Sequence, residues 1–485
     1  MGEYKPRSVE RFYPSEWRRL SSYACKYVYK LYRRISELES RTKELEAQLA
    51  KYSANSHLPP SRDFQPKPRP QSVALKRGRP VKRKPGAQAG HAGSTLKMTD
   101  EPKWVHAQNL LECPGCGLSL KDTEISHIER RQVFDVPVEF KVEVTEYRVE
   151  HRHCGGCHQT VGGSFPKDVN APVQYGPNLR ALAAYLMHAQ MLPYNRVREV
   201  LRELFGVDMG HGTIARINEL YFNKLSIAEE SAREQLSASL ILHVDETGLK
   251  NNGEQNWLHV MSNEELTLLV PHQKRGGQAV EEIGVLKNFE GRMIHDHWPP
   301  YYKVKNCSHA ACNAHHLREL TFVGEDLKEP WALKMKDLLL EMHEKVESAK
   351  GKGQNHLQGA LLERLERRYD QVLVEAARYH QKILPKPGVL NQGKGLMNRL
   401  RERRGETLVF MHDFAVPFTN NQAERDLRMA KLKQKVSGTF RTEQGMKDFA
   451  RIRSYISTAR KQNWPVLYAL QMAIKDKVLI PSYPL

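Results

Sequence analysis

Three carboxylates stand out by where the surrounding pattern places them. In Leu240-Ile-Leu-His-Val-Asp245-Glu-Thr-Gly an apolar run meets an acid and then a glycine, the pattern of a buried strand that stops at Gly248. Gly291-Arg-Met-Ile-His-Asp296 repeats the arrangement, a short strand with an aspartate at its end. Phe418-Thr-Asn-Asn-Gln-Ala-Glu424-Arg-Asp-Leu-Arg428 opens a helix, with Glu424 one turn in and Asn420 and Arg428 on its face at i−4 and i+4. Two strand-end acids and one helical acid supply the oxygen donors that hard cations such as Mg²⁺ or Mn²⁺ take. Two such ions, about 3.5–4 Å apart, clamp the attacking and leaving oxygens of an in-line phosphoryl displacement. The expected division has Asp245 bridging both ions, Asp296 holding one and Glu424 the other. Taken singly, each acid reads as a turn cap or a solvated surface residue; their joint order in one fold makes the set. Glu246 competes with Asp245, but strand alternation points it to the opposite face. His295 and His297 flank Asp296 and suggest a histidine–aspartate hydrolase. That chemistry needs further histidines on helices, and this doublet follows a strand.

A second chemistry sits in the cysteines. Four of the seven fall in Cys113-Pro-Gly-Cys116 and Cys154-Gly-Gly-Cys157. Each pair makes a tight turn whose thiolates face one ion, and four thiolates close a tetrahedral structural Zn²⁺ site. The gap between the pairs exceeds the roughly 15–20 residues of the commonest spacing. The alternating stretch from Val133 to Val144 is therefore expected to form hairpin strands that bring them together. His151, His153 and His158 are minor competing ligands, and Cys312-x-x-His315 is a further pair with either a packing or a metal role.

The remaining chemistry is cationic. Lys and Arg number 75 against 56 Asp and Glu, a net charge of +19 over 485 residues. Such an excess implies a polyanionic partner, nucleic acid before a membrane surface. Arg77-Gly78-Arg79-Pro80, with Lys82, Arg83 and Lys84 after it, resembles a minor-groove hook, against the plainer reading of a basic linker that screens phosphates. Arg216 would face DNA from a helix opened near Thr213. Arg425, Arg428, Lys431, Lys433, Lys435 and Arg441 follow the helical glutamate, either along a DNA backbone or on a solvated helix face.

These groups need elements to hold them. A heptad over residues 26–52, with Val28, Ile35, Thr42 and Leu49 at a and Leu31, Leu38 and Leu45 at d, predicts a coiled coil and hence a homodimer or higher oligomer. A Pro-rich basic stretch follows that has too little apolar content for a core. Helix, glycine turn and polar-faced helix over 196–218 outline a helix-turn-helix. Strands at 240–245, 257–262 and 266–271, a helix from Gly277, a strand at 291–296 and a helix after Ser308 give the β-β-β-α-β-α order of a ribonuclease H-like fold. The charged helical stretch between Asp296 and Glu424 is too long for a loop and reads as an α-helical insertion. The expected chain is thus multidomain α+β. It has a coiled-coil segment (1–57), a basic linker (58–100), a four-cysteine zinc-binding β module (101–170) and a helical DNA-binding domain (171–235). The ribonuclease H-like α/β catalytic domain follows in two parts (236–325 and 406–485) around the insertion (326–405). No apolar run spans a bilayer and no secretion signal opens the chain, so a cytoplasmic, nucleoid-associated prokaryotic protein without a membrane partner is expected.

Several blocks together resemble a known family. They are Lys84-Pro-Gly-Ala-Gln-Ala-Gly-His-Ala-Gly, the cysteine pairs, His243-Val-Asp-Glu-Thr, Ala311-Cys-Asn-Ala-His315-His-Leu-Arg318, Asn420-Asn-Gln-Ala-Glu-Arg-Asp-Leu-Arg428 and Lys435-Val-Ser-Gly-Thr-Phe-Arg441. In order and over nearly the whole chain they resemble the IS66 family of insertion-sequence transposases, the Asn-Asn-x-Ala-Glu-Arg block being the most specific. The resemblance implies a DDE catalytic domain with a helical insertion and Asp245, Asp296 and Glu424 as the triad. It also implies action on double-stranded DNA, both element ends and target, with small accessory proteins of the same element as partners in many members. Thr419 stands where many members carry an Asp, so no fourth acid is proposed. The competing readings are a DNA-binding regulator that has lost catalysis and a structure-specific nuclease of the same fold.

Overall fold

A computed structural model of the chain describes residues 34–35, 37–38, 98–135, 141–382 and 392–481. Residues 34, 35, 37 and 38 are helical; the rest of the heptad and the basic linker up to residue 97, including Arg77, Arg79, Lys82, Arg83 and Lys84, lie outside the described residues. The chain divides into two compact units, one of residues 65–145 and one that joins 1–64 to 146–485.

In the first unit the backbone turns at Cys113, where a bridge pairs Glu112 with Ser119. The Gln132 side-chain amide exchanges two hydrogen bonds with the Thr99 backbone, at 2.8 and 2.6 Å. The expected hairpin strands do not appear among the described residues, where 133–135 and 141–145 form no ladder. Val133 and Val144 stand 92% and 90% exposed, so alternation there has no buried face to satisfy.

The second unit begins with a short antiparallel pair, β1 (His151–His153) and β2 (Thr160–Gly162). Helices α1 (Pro177–Ala184), α2 (Tyr194–Phe205), α3 (His211–Lys224) and α4 (Ser226–Ser237) follow. Gly206, at φ 66°, ends α2 in the left-handed conformation that a glycine cap supplies.

The sheet comes next: β3 (Ile241–Asn251), β4 (Glu254–Ser262), β5 (Thr267–His272), then α5 (Gly277–Ile283), β6 (Arg292–His295) and β7 (Ser308–Ala311). Its order is β5-β4-β3-β6-β7, with β3, β4 and β5 antiparallel and β6 and β7 parallel to β3. The first strand does not stop at Gly248. It runs on to a two-residue hairpin at Asn252 (φ 48°) and Gly253 (φ 86°), the left-handed pair that a tight reversal requires. At the start of β6 a Cβ on Gly291 would lie 2.4 Å from the Ser239 carbonyl oxygen, so only glycine lets β6 come this close to the beginning of β3.

Helices α6 (Asn313–Glu325), α7 (Pro330–Lys350), α8 (Gly359–Lys382), α9 (Gln392–Glu402) and α10 (Arg404–His412) follow the sheet. They pack around a core of their own that includes Trp331, Met335, Leu339, Tyr369 and Leu400. The chain closes with α11 (Asn421–Ser437), α12 (Glu443–Lys461) and α13 (Val466–Ile474). These late helices serve two earlier regions. Ala423, Leu427, Phe449 and Ala450 cover one face of the sheet at Leu249, Leu258, Val260 and Leu269. Ile452, Tyr455, Ile456, Leu470 and Ala473 complete the core of α1–α3 around Val197, Leu201, Ile214 and Tyr221. The other sheet face buries Leu242, Val244, Met261 and Leu268 against Leu236, Leu286, Phe289 and Tyr301. At roughly 1.5–3 kcal/mol per buried large aliphatic or aromatic side chain, these two faces fix which way each strand residue points. Among the described residues no helix is long and apolar enough to cross a membrane.

Candidate active site

Asp245 lies in mid-strand on β3, paired in register with Val260 of β4. The neighbouring parallel strand β6 pairs Ile294 with His243 and ends at His295, so Asp296 is the first residue beyond the strand, two positions past Ile294 as Asp245 is two past His243. Glu424 sits in the first turn of α11. What brings that helix to the strands is Asn420, which is 1% exposed. Its side-chain amide donates to the Val244 carbonyl at 2.8 Å, and its side-chain oxygen is 2.8 Å from His243 Nδ1. Its backbone N–H points at Cys312 Sγ, 3.1 Å away, while the Asn313 N–H donates to the Phe418 carbonyl at 3.1 Å. One buried asparagine thus ties the helix of the third acid to the strand of the first.

The three acids share one electrostatic neighbourhood. Burial holds the Asp245 carboxyl well above the usual carboxylate range, and the charges of Glu246, Asp296 and Glu424 push it the same way. The hydrogen bond from the Glu246 N–H to Asp245 Oδ1, at 2.8 Å, works against them. Asp296 Oδ1 accepts from the Trp298 N–H at 3.0 Å. Glu246 is otherwise committed: Tyr301 donates to it at 2.6 Å and Arg275 pairs with it at 2.7 Å. The Arg275 guanidinium in turn lies 4.8 Å from the Trp257 ring and 4.5 Å from the Trp298 ring. The alternation argument for Asp245 over Glu246 therefore has a structural counterpart. The histidine doublet is also taken up by neighbours: His295 Nε2 is 3.0 Å from His309 Nδ1, and His297 stacks on His316 at 4.2 Å.

Sequence reasoning missed the partner of Glu424. Arg318, on α6, donates to Glu424 Oε1 at 2.9 Å, and His315 Nε2 lies 4.0 Å from the same oxygen. Cys312, His315 and Glu424 bring their ligand atoms within 4.8 Å of one another, a grouping that Asp245, Asp296 and Glu424 do not form among the described residues. Burial pushes the Cys312 thiol up to about 11.

The predicted DNA contacts divide. Arg216 on α3, and Arg425, Arg428, Lys435 and Arg441 around α11, are exposed. Arg425 also donates to Gln422 at 2.7 Å. Lys431 instead turns its ammonium back to the Gly248 carbonyl at 3.1 Å, and Lys433 donates to Ser437 at 3.2 Å; burial lowers the pKa of both. These two serve the packing of α11.

The cysteine pairs are alike in local form. Cys113 N–H donates to the Leu118 carbonyl and Gly117 N–H to that of Cys113, at 2.9 and 2.8 Å; Cys154 and His158 repeat both bonds at 2.9 Å. The fourth residue after each first cysteine is left-handed, Gly117 at φ 76° and His158 at φ 54°. Backbone N–H groups aimed into each turn lower the pKa of Cys113 and Cys154, as a metal-binding knuckle needs.

No curated protein matches the chain in sequence comparison. Residues 16–97 match a family of unknown function, DUF6444. Residues 172–448, which include the sheet, helices α6–α10 and all of α11, match the model of the IS66 transposase family. With more than half its length so matched and the three acids inside that span, the chain belongs to the IS66 family of transposases.

Proposed function

We propose that this transposase is of the DDE type, binding the ends of its element and catalysing divalent-metal-dependent cleavage and strand transfer of DNA. The observation that supports this best is the placement of the acids. The β5-β4-β3-β6-β7 order reads as a ribonuclease H-like sheet, with Asp245 on its central strand, Asp296 at the end of the adjacent parallel strand and Glu424 on a helix tied to the central strand by Asn420. The donors fit hard cations: all are carboxylate oxygens, and Asp245 and Asp296 accept from the backbone N–H groups of Glu246 and Trp298 rather than from a basic side chain. Burial first, and then the charges of Glu246, Asp296 and Glu424, raise Asp245, and a dication would relieve the repulsive part. Outer carboxylates in a two-ion site stand up to roughly 8 Å apart, about two ligand bonds plus one ion spacing, so three acids looser than a one-ion cluster suit it.

Asp245, Asp296 and Glu424 would hold Mg²⁺ or Mn²⁺. When bound, two such ions activate the attacking oxygen and neutralise the leaving one. The protein's own contribution is positional. Asn420 fixes the helix of Glu424, the Tyr301–Glu246–Arg275 network fixes the strand beneath Asp245, and the exposed Arg425, Arg428 and Lys435 offer contacts to DNA phosphates. The knuckles at Cys113–Cys116 and Cys154–Cys157 would take structural Zn²⁺, and the heptad would bring copies of the chain together.

The test is nicking of a duplex carrying the element's terminal repeat in Mg²⁺ or Mn²⁺. The parent should nick, and Asp245→Asn should lose activity by about three orders of magnitude or more while still retarding the DNA. A parent that binds but never nicks would return the protein to the regulator reading; nicking without joined products would favour a nuclease.

A further inference from the structure

We propose that Cys312, His315 and Glu424 form a second metal site, one for a thiophilic divalent cation of the Zn²⁺ class, and that filling it withdraws Glu424 from the Mg²⁺ set. The withdrawal rests on the catalytic reading of Glu424; the site itself does not.

The three residues come from two helix starts that meet. Cys312 is the N-cap residue of α6 and His315 lies in that helix's first turn, a spacing that turns thiol and imidazole to one side. Glu424 arrives from the first turn of α11, which Asn420 locks against Cys312. Sγ, an imidazole nitrogen and a carboxylate oxygen already lie within 4.8 Å of one another, and His315 Nε2 and Glu424 Oε1 are 4.0 Å apart. Tetrahedral zinc bonds of about 2.0–2.3 Å set ligand separations near 3.5 Å, so an inward shift of about 1 Å completes the cage. His315 and Glu424 are the movable members, with side chains 17% and 33% exposed; Cys312 is fully buried and stays put.

The donor set decides the metal. One sulfur, one nitrogen and one oxygen suit zinc or cobalt(II) and are a poor match for magnesium. Three protein ligands leave a fourth position, and the half-exposed Arg318 beside Glu424 marks the solvent side. A cation here displaces Arg318 from Glu424 Oε1, the same atom it needs. Glu424 then has two competing employers, a hard-cation pair with Asp245 and Asp296 and a softer ion with Cys312 and His315. The choice is set by which metal is present.

The test uses the full chain, stripped with chelator and titrated with Co²⁺, whose thiolate charge-transfer band reports a Co–S bond. Cys312→Ser should lose one equivalent of Co²⁺ with its share of that band, and His315→Gln should weaken the same equivalent at least about 10-fold. Cys116→Ser, which disables a knuckle, should leave that equivalent in place. Circular dichroism shows which variants keep the parent fold; should Cys312→Ser fail to fold, the more accessible His315→Gln decides. Equal Co²⁺ equivalents and affinity in the parent and the folded variants would overturn the site. Mn²⁺ binding followed by electron paramagnetic resonance tests the competition: one Zn²⁺ per site should weaken Mn²⁺ binding in the parent but not in His315→Gln, and equal Mn²⁺ affinity with and without Zn²⁺ would overturn the withdrawal. A parent that never nicks DNA would sink the catalytic reading while leaving the Co²⁺ result to stand.

Discussion

Arg318 holds Glu424 by a single hydrogen bond between half-exposed groups, an interaction worth at most about 1 kcal/mol. It is strong enough to bias metal binding and too weak to forbid it. Arg318→Gln should therefore lower the Mg²⁺ concentration for half-maximal nicking by up to about fivefold, read from a metal titration of the nicking rate. Asp245 shows the opposite tension. Its folded pKa is raised, so ionisation costs the folded chain stability as pH climbs above the ordinary aspartate value. Asp245→Asn should raise the metal-free melting temperature at neutral pH by about 2–4 °C, the effect of roughly 1 kcal/mol, and should abolish any further stabilisation by Mg²⁺. A lower melting temperature would show that Asp245 is structural first. Asp245, Asp296 and Glu424 were candidates in the sequence because the strands and helix that carry them have a plain hydrophobic period, although Asp245 lies within its strand and not at its end. Arg318 was not, because its partner lies 106 positions away and nothing local marks the pair.

Among elements, the join between β3 and α11 matters most. Asn420→Ala leaves the Val244 carbonyl and His243 Nδ1 without their side-chain partners in a buried place, which costs about 1–3 kcal/mol for each group left unsatisfied. Asn420→Ala should melt several degrees lower and lose nicking more than DNA retention, measured side by side; unchanged nicking in a folded variant would remove Asn420 from its positioning role. The strands at 240–245, 257–262 and 266–271 were legible because alternation along each of them is local. The sequence placed the end of β3 too early, since Gly248 looks like a stop. Gly248 instead stays in the ladder, where a Cβ would lie 2.7 Å from Gln255 Nε2, a cross-strand contact invisible along the chain. The Val133–Val144 alternation misled in the other direction, because a period of two predicts a strand only where some partner buries one face.

At the scale of the whole molecule, burial of histidine sets the acid limit. His188, His243 and His259 are pushed down to about 4, and His295 and His316 to about 3, each mainly by burial. A histidine whose folded pKa is depressed gives its full stability above the unfolded value near 6.5 and loses it as pH falls toward the folded one. Each contributes a slope of at most about 1.4 kcal/mol per pH unit in that window, and over about two units five together are comparable to a typical total stability of roughly 5–15 kcal/mol. Asp245, Glu246 and Asp448, raised by burial, offset part of this. The chain should unfold between about pH 4 and 6 by circular dichroism; a chain still folded at pH 3.5 would show that these imidazoles reach water. The helices on either side of Gly206 were legible, but their dependence on the last helices was not, because Tyr221 finds the Leu470 carbonyl 249 positions away.

That dependence extends to the sheet's border. β5 is an outer strand, and the hydroxyls of Ser454 and Thr458 on α12 accept its Leu269 and Thr267 N–H groups at 2.8 and 3.1 Å. A polypeptide still on the ribosome, or one cut short by a stop codon before α12, presents those amides bare, a ready template for another chain's strand. Prematurely terminated copies are thus destined for precipitation or proteolysis rather than for a second life as dominant-negative binders.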